Sequence, residues 1–250
     1  MKPTPWLVRQ TCPRPRARLF CFSYAGGSAA NYRAWHGELA PAIEVCAIQL
    51  PGRGARFSET PVSSMPALAQ AVASEIARQD DGVPFYFLGH SLGGLLAFEV
   101  TRYSQERGLA VPEQLFVAGC AAPQLRGPST DLHLLSDVDF LAALRDYGGT
   151  APEVLGSEEL MQLLLPMMRA DFGLAEEYAY RAAPLLEMPV TVLVGDADDL
   201  VSPAQAQAWE LETRAAFSVE SFSGNHFFVD LHRGPIQQMV RDMALAEARA

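Results

Sequence analysis

Residues 85–94 read F-Y-F-L-G-H-S-L-G-G, and few folds have a use for that arrangement. The apolar run V-P-F-Y-F-L that leads into it has the length of a strand, and residues 95–108, L-L-A-F-E-V-T-R-Y-S-Q-E-R-G, follow with helical spacing. Ser91 is therefore predicted at a strand-to-helix corner. Gly89 and Gly93 stand two residues to either side, where a Cβ would fill space that so tight a corner needs for neighbouring backbone. A glycine-rich turn with a helix-capping serine would share these five letters. A strand before and a helix after instead mark the nucleophile elbow G-x-S-x-G, which lifts the serine hydroxyl above the sheet edge. There the helix N–H groups and dipole favour developing negative charge.

The rest of the chain supplies a sheet for that corner. Strand-like runs recur at 18–23, 45–50, 85–88, 114–119 and 190–194, with a weaker sixth at 218–222. Helical stretches separate most of them, at 65–79, after Ser91 and at 203–213. This alternation predicts a mostly parallel sheet covered on both faces, with ligands beyond the C-terminal strand ends. No break in composition divides the 250 residues, so one domain is expected over 1–250.

The rhythm fails once. Residues 121–189 separate two strands, where a parallel crossover needs about a dozen or more residues. Within them D-V-D-F-L-A-A-L-R-D-Y ends at Gly148 and Gly149, and Ser157 opens S-E-E-L-M-Q-L-L-L-P-M-M-R-A-D-F. Both have helical patterning, and Pro166 should kink or divide the second. Residues 128–184 are thus expected to form an inserted helical lid over the active-site edge.

Composition narrows the function. A formal charge of -10 argues against nucleic acid as a partner, since phosphate binding needs a basic surface. The longest apolar runs are too short for a bilayer, and M-K-P-T-P-W-L-V-R-Q lacks the apolar centre of a signal peptide, so a cytoplasmic chain with no membrane contact is expected. Cys21, Cys46 and Cys120 lie in apolar runs, and neither C-x-x-C nor a metal-ligand spacing occurs; free buried thiols and no metal follow.

A serine hydroxyl needs a base to take its proton. Of five histidines, His90 lies inside the elbow, His36 and His133 precede the final strands, and His232 falls in the last helical segment. His226, in the loop S-G-N-H-F-F after the last strand, can swing over the sheet edge and completes the order Ser, acid, His. The acid that fixes its tautomer must come from L-V-G-D-A-D-D-L-V-S-P after the strand at 190–194, which offers Asp196, Asp198 and Asp199. For the oxyanion hole, one donor is the Leu92 backbone N–H. The second should come from S-Y-A-G-G-S-A after the first strand, with Ala25 N–H preferred and Tyr24 as the alternative.

Together these features resemble the α/β-hydrolases, and among them the type II thioesterases, stand-alone enzymes that accompany polyketide and nonribosomal peptide synthetases and are similar to the thioesterase of fatty acid synthase. The resemblance rests on F-S-Y-A-G-G-S-A at 22–29, Q-L-P-G-R at 49–53, F-L-G-H-S-L-G-G at 87–94, L-S-D-V-D-F-L at 135–141, L-L-P-M-M-R-A-D-F at 164–172 and G-N-H-F-F at 224–228. Ser23 departs from it, since the family commonly has proline there. The hydrolase pattern G-x-x-D-x-x-V fits Gly195, Asp198 and Val201, which makes Asp198 the expected acid and leaves Asp196 as the alternative.

The resemblance implies hydrolysis of acyl thioesters held on the phosphopantetheine arm of carrier domains, by a monomer with no cofactor of its own and only transient carrier contact. Tyr24 would then contact the substrate, and Met161, Met167 and Met168 with the lid leucines would either offer an adaptable apolar surface for the acyl group or pack as ordinary core. Arg53 and Arg56 would meet the pantetheine phosphate or the acidic carrier near the site mouth, with a surface salt bridge as the equal alternative. A small-molecule carboxylesterase or lipase would use the same triad, and a catalytically silent binding protein the same fold.

Overall fold

The computed structural model describes residues 1–127 and 130–247. Seven strands, β1 (Leu7–Arg9), β2 (Ala17–Phe22), β3 (Ile43–Ile48), β4 (Phe85–His90), β5 (Gln114–Ala118), β6 (Val190–Gly195) and β7 (Phe217–Phe222), form one sheet in the order β1-β3-β2-β4-β5-β6-β7. Only β1 is antiparallel to its neighbour, with Leu7 opposite Ile48. The six runs read as strands are all strands. The edge strand β1 carried no signal, because three residues are too few to show a period.

Strands β2 to β5 are buried along their whole length, which is why they read as near-continuous apolar runs rather than alternating ones. Alternate side chains serve two cores. Phe20, Phe22, Phe87, Leu115 and Val117 pack with α2 (Met65–Gln79) and α3 (Leu92–Glu106) on one face. Leu19, Cys21, Tyr86, Leu88 and Phe116 pack on the other with Trp35 and Leu39 of α1 (Trp35–Leu39), and with the C-terminal helices. This is the doubly covered, mostly parallel sheet of an α/β-hydrolase. No helix among the described residues is long and apolar enough to cross a membrane.

Between β5 and β6 the chain leaves the sheet and forms α4 (Asp137–Tyr147), α5 (Pro152–Leu155) and α6 (Glu158–Glu176). Ser136 and Ser157 cap α4 and α6, each side chain accepting a backbone N–H three residues on. The helices carry their own core of Phe140, Leu144, Met161, Leu165, Met167, Met168 and Phe172. Of the two outcomes expected at Pro166, a kink or a division, the division does not occur, and α6 runs through it. A proline inside a helix forfeits one backbone hydrogen bond, and buried side chains on both sides of it, from Met161 to Leu174, hold the helix together. The expected start of the insertion, Pro128, lies outside the described residues, as does Ser129.

After β6 come α7 (Pro203–Gln207) and a 3-10 turn over Ala208–Glu212, where one continuous helix was expected. The chain ends with α8 (Phe228–Leu231) and α9 (Arg233–Glu247) after β7. Ser91, Asp198 and His226 thus follow the C-terminal ends of β4, β6 and β7, along one edge of the sheet.

Candidate active site

Ser91 occupies the corner between β4 and α3 with φ +54° and ψ −117°, a backbone conformation that a side chain rarely adopts and that functional sites concentrate. The corner closes because nothing projects from its glycines. A Cβ on Gly93 would lie 2.1 Å from the Phe22 carbonyl oxygen, and one on Gly89 would lie 2.3 Å from that of Gly93. The Ser91 N–H still reaches back to the sheet, donating to Ala118 O at 2.8 Å.

His226 Nδ1 lies 2.9 Å from Asp198 Oδ2. The other two aspartates of that loop do not meet the imidazole: Asp196 Oδ1 accepts the Gly224 N–H at 2.9 Å and so ties the two loops together. Burial alone would raise the Asp198 carboxyl, but the His226 hydrogen bond and charge, with the N–H groups of Leu200 and Val201, hold it below its ordinary range. Asp198 is therefore charged and able to stabilise an imidazolium.

His90, inside the elbow, has a role the sequence did not suggest. Its Nε2–H donates to the His226 carbonyl at 2.8 Å. Complete burial, reinforced by the neighbouring His226, pushes it down to about 3, so it stays a neutral support for the His226 backbone.

Tyr147, the last residue of α4, was also missed. Its hydroxyl lies 3.3 Å from Ser91 Oγ and 3.4 Å from His226 Nε2, and so stands between the two side chains. Its ring meets Phe172 edge-on at 5.2 Å. Burial raises its phenol, which remains protonated. The helix end can approach so closely because Gly149, at φ +78°, presents no side chain to the Phe227 ring, whose Cζ would be 2.3 Å from an added Cβ. The one signal available in sequence was the pair of glycines after the tyrosine.

These groups open onto a cavity of about 390 Å³, a volume in the range of small-molecule sites. Ala25, Leu92 and Ser91 line it, as do Leu132, Phe172, Tyr178 and Tyr180. In the loop after β2, Gly26 N–H is bound by Asp171 and Gly27 N–H by Tyr24 O. Ala25 N–H and Leu92 N–H have no hydrogen-bond acceptor among the described residues. Two unpaired donors beside one hydroxyl can receive an oxyanion.

Other expected contacts fall elsewhere. Arg53 does not face a phosphate: its guanidinium is buried and forms two 2.6 Å hydrogen bonds with Asp171. Arg56 binds Glu59 and Gln49 O and lies over the Trp6 ring, away from the cavity. Met161, Met167 and Met168 fill the core of the insertion and do not line the cavity, because α6 turns them toward Phe140 and Leu144. Tyr24 packs its ring on His90 and Phe227, and Asn31 donates to its hydroxyl. The insertion instead gives the cavity wall Leu132, Tyr147, Phe172, Tyr178 and Tyr180 together with Thr130 and Glu176, while Gln124, Arg126, Leu200 and Gln205 come from outside it.

The chain and its fold are similar to those of known proteins. The family model described as the thioesterase domain matches residues 17–241, from the start of β2 into α9. The gramicidin S biosynthesis protein GrsT of Aneurinibacillus migulanus is 40% identical over 214 residues, 86% of this chain and 83% of that protein. The structure of the type II thioesterase BorB from the borrelidin biosynthetic cluster superposes with a TM-score of 0.90 at 34% identity, covering 98% of this chain and 99% of the other. RedJ, the thioesterase from the prodiginine pathway of Streptomyces coelicolor, gives 0.86 at 33% identity over 96% and 91%. With a match that spans the sheet and the insertion alike, the chain belongs to the thioesterase family.

Proposed function

We propose that this thioesterase is a type II enzyme that clears acyl groups from the phosphopantetheine arms of carrier domains in a polyketide or nonribosomal peptide synthetase. The names of its relatives support the setting: BorB and RedJ come from natural-product biosynthesis, and GrsT from gramicidin S biosynthesis. The observation that carries the chemistry is the 2.9 Å hydrogen bond from His226 Nδ1 to Asp198, which leaves Nε2 directed toward the Ser91 side.

In this reading His226 Nε2 takes the Ser91 proton as Oγ attacks the thioester carbonyl, and the oxyanion is held by Ala25 N–H and Leu92 N–H. Collapse breaks the carbon–sulfur bond, and the imidazolium protonates the departing thiolate. Water, deprotonated by His226, then attacks the acyl-enzyme and restores Ser91 with release of the acid. Tyr147 stands where the leaving sulfur and later the water must pass, so the end of α4 withdraws in each cycle and the insertion acts as a lid.

The test is turnover of acyl groups loaded on a carrier domain, compared with matched oxygen esters and with Ser91→Ala. Carrier thioesters should be hydrolysed with the higher kcat/KM and only by the serine enzyme. Preference for oxygen esters would make the chain a carboxylesterase instead.

A further inference from the structure

Asp171 of α6 and Arg53 form an ion pair with almost no solvent contact, their side chains 2% and 6% exposed. Desolvation makes such pairs poor stabilisers, and well-packed apolar residues of similar volume often serve as well or better. What apolar residues could not do is grip the loop after β2. Asp171 Oδ2 accepts Gly26 N–H at 2.8 Å, and Arg53 donates to Gly27 O at 2.9 Å. Gly26 is held there at φ +79°, where an added Cβ would lie 3.4 Å from Met168 Cε of α6. Gln49 fixes Arg53 from behind by donating to its carbonyl at 2.9 Å.

We propose that Asp171, held by Arg53, is a positioning residue for the oxyanion hole. Drawing Gly26 N–H out toward α6 sets the turn that leaves Ala25 N–H at the cavity wall, beside Leu92 N–H. The inference rests on the reading in which Ser91 attacks and Ala25 and Leu92 receive the oxyanion. It also makes the second half of α6 and the oxyanion loop one body. Opening of the site therefore belongs to the Tyr147 end of the insertion, because displacement of α6 at Asp171 would dismantle the hole.

Two double variants separate positioning from stability. Arg53→Met/Asp171→Leu removes the acceptor without stranding a charge, and Arg53→Gln/Asp171→Asn removes both charges but keeps an amide oxygen for Gly26 N–H. An acyl trifluoromethyl ketone, which adds Ser91 Oγ to form a tetrahedral oxyanion, reports on the hole itself. The Met/Leu pair should lose about 100-fold in kcat and in ketone affinity, with KM within about threefold and an unchanged Tm. The Gln/Asn pair should stay within about fivefold of the parent enzyme in both. Full kcat and ketone affinity in the Met/Leu pair, or equal losses in both pairs, would overturn the assignment. If the Met/Leu pair does not fold, Arg53→Gln/Asp171→Ala takes its place and must show the same loss. Fluorophosphonate labelling of the parent enzyme keeps the two readings apart: an unlabelled Ser91 removes the hydrolase reading beneath the proposal, whereas a labelled Ser91 with an unimpaired Met/Leu pair removes only the role of Asp171.

Discussion

The hydroxyl of Tyr147 reaches Ser91 Oγ at 3.3 Å, and no hydrogen bond joins Ser91 directly to His226 among the described residues. In the proposed mechanism a serine held this way is not aligned for attack until the phenol leaves. Tyr147→Phe deletes the hydroxyl contacts with Ser91 and His226 but keeps the ring on Phe172 and His226. A net hydrogen bond contributes about 1 kcal/mol, so labelling of Ser91 by a small fluorophosphonate should rise roughly fivefold. Slower labelling would show that the phenol assists the serine rather than covering it.

The acid can be assigned by comparing neighbours. Asp198→Asn leaves the wrong tautomer on His226 and should lower kcat by about 10⁴-fold. Asp196→Asn weakens only the tie to Gly224, and a loss of more than about tenfold is not expected. Ser91→Ala should remove roughly three to six orders of magnitude while leaving thermal unfolding unchanged. Steady-state kinetics on one carrier substrate rank all three, and a larger effect at Asp196 would reassign the acid.

Acyl preference should follow the cavity wall and not the methionines. Met161→Ala opens the core of the insertion and should destabilise by about 2–5 kcal/mol in denaturant unfolding, with the order of preferred acyl groups unchanged. Leu132→Trp narrows the cavity and should shift preference toward shorter chains. A panel of acyl lengths on one carrier reads both variants, and an unaltered profile for Leu132→Trp would place the acyl group elsewhere.

His90 predicts an acid-sensitive fold. Its folded-state value, about 3, lies below its ordinary value of 6.5, so between those limits the unfolded chain binds the proton and the folded chain does not. The stability it supports is complete above pH 6.5 and falls away as pH drops toward 3. Melting temperatures measured from pH 7 to pH 4 should decline less steeply in His90→Gln than in the parent. Parallel curves would mean that the acid loss arises at other groups.

What could be read from sequence divides along physical lines. The places of Ser91 and His226 were legible because each lies at a fixed position relative to a strand, and the corner at 91 carries a glycine signature. Asp198 needed the spacing from Gly195 to Val201, since three aspartates in four residues are chemically alike and only the fold selects among them. Arg53 was misplaced for the opposite reason: an arginine in a loop reads as exposed, and its partner Asp171 is far along the chain, on another element. The methionine stripe indicated correctly that α6 has an apolar face, but periodicity does not say whether that face meets a ligand or another helix. Tyr147 left almost no trace, as its position depends on how α4 returns to the sheet edge.

The sheet neighbours β5 and β6 exchange backbone hydrogen bonds over Leu115–Ala118 and Val190–Leu193, although the whole helical insertion lies between them in the chain. The excursion leaves and re-enters at adjacent strands, so its length is nearly uncoupled from the sheet, and doubling a flexible connection adds only about 0.6 kcal/mol of closure entropy. Residues 119–189 are in that sense an exchangeable cassette. A homologous segment could be transplanted between enzymes of this family without touching the nucleophile, base or acid, provided that the incoming helix brings its own carboxylate opposite Arg53. Diversification of substrate range would then proceed by replacing one contiguous stretch of gene, with the catalytic scaffold inherited intact.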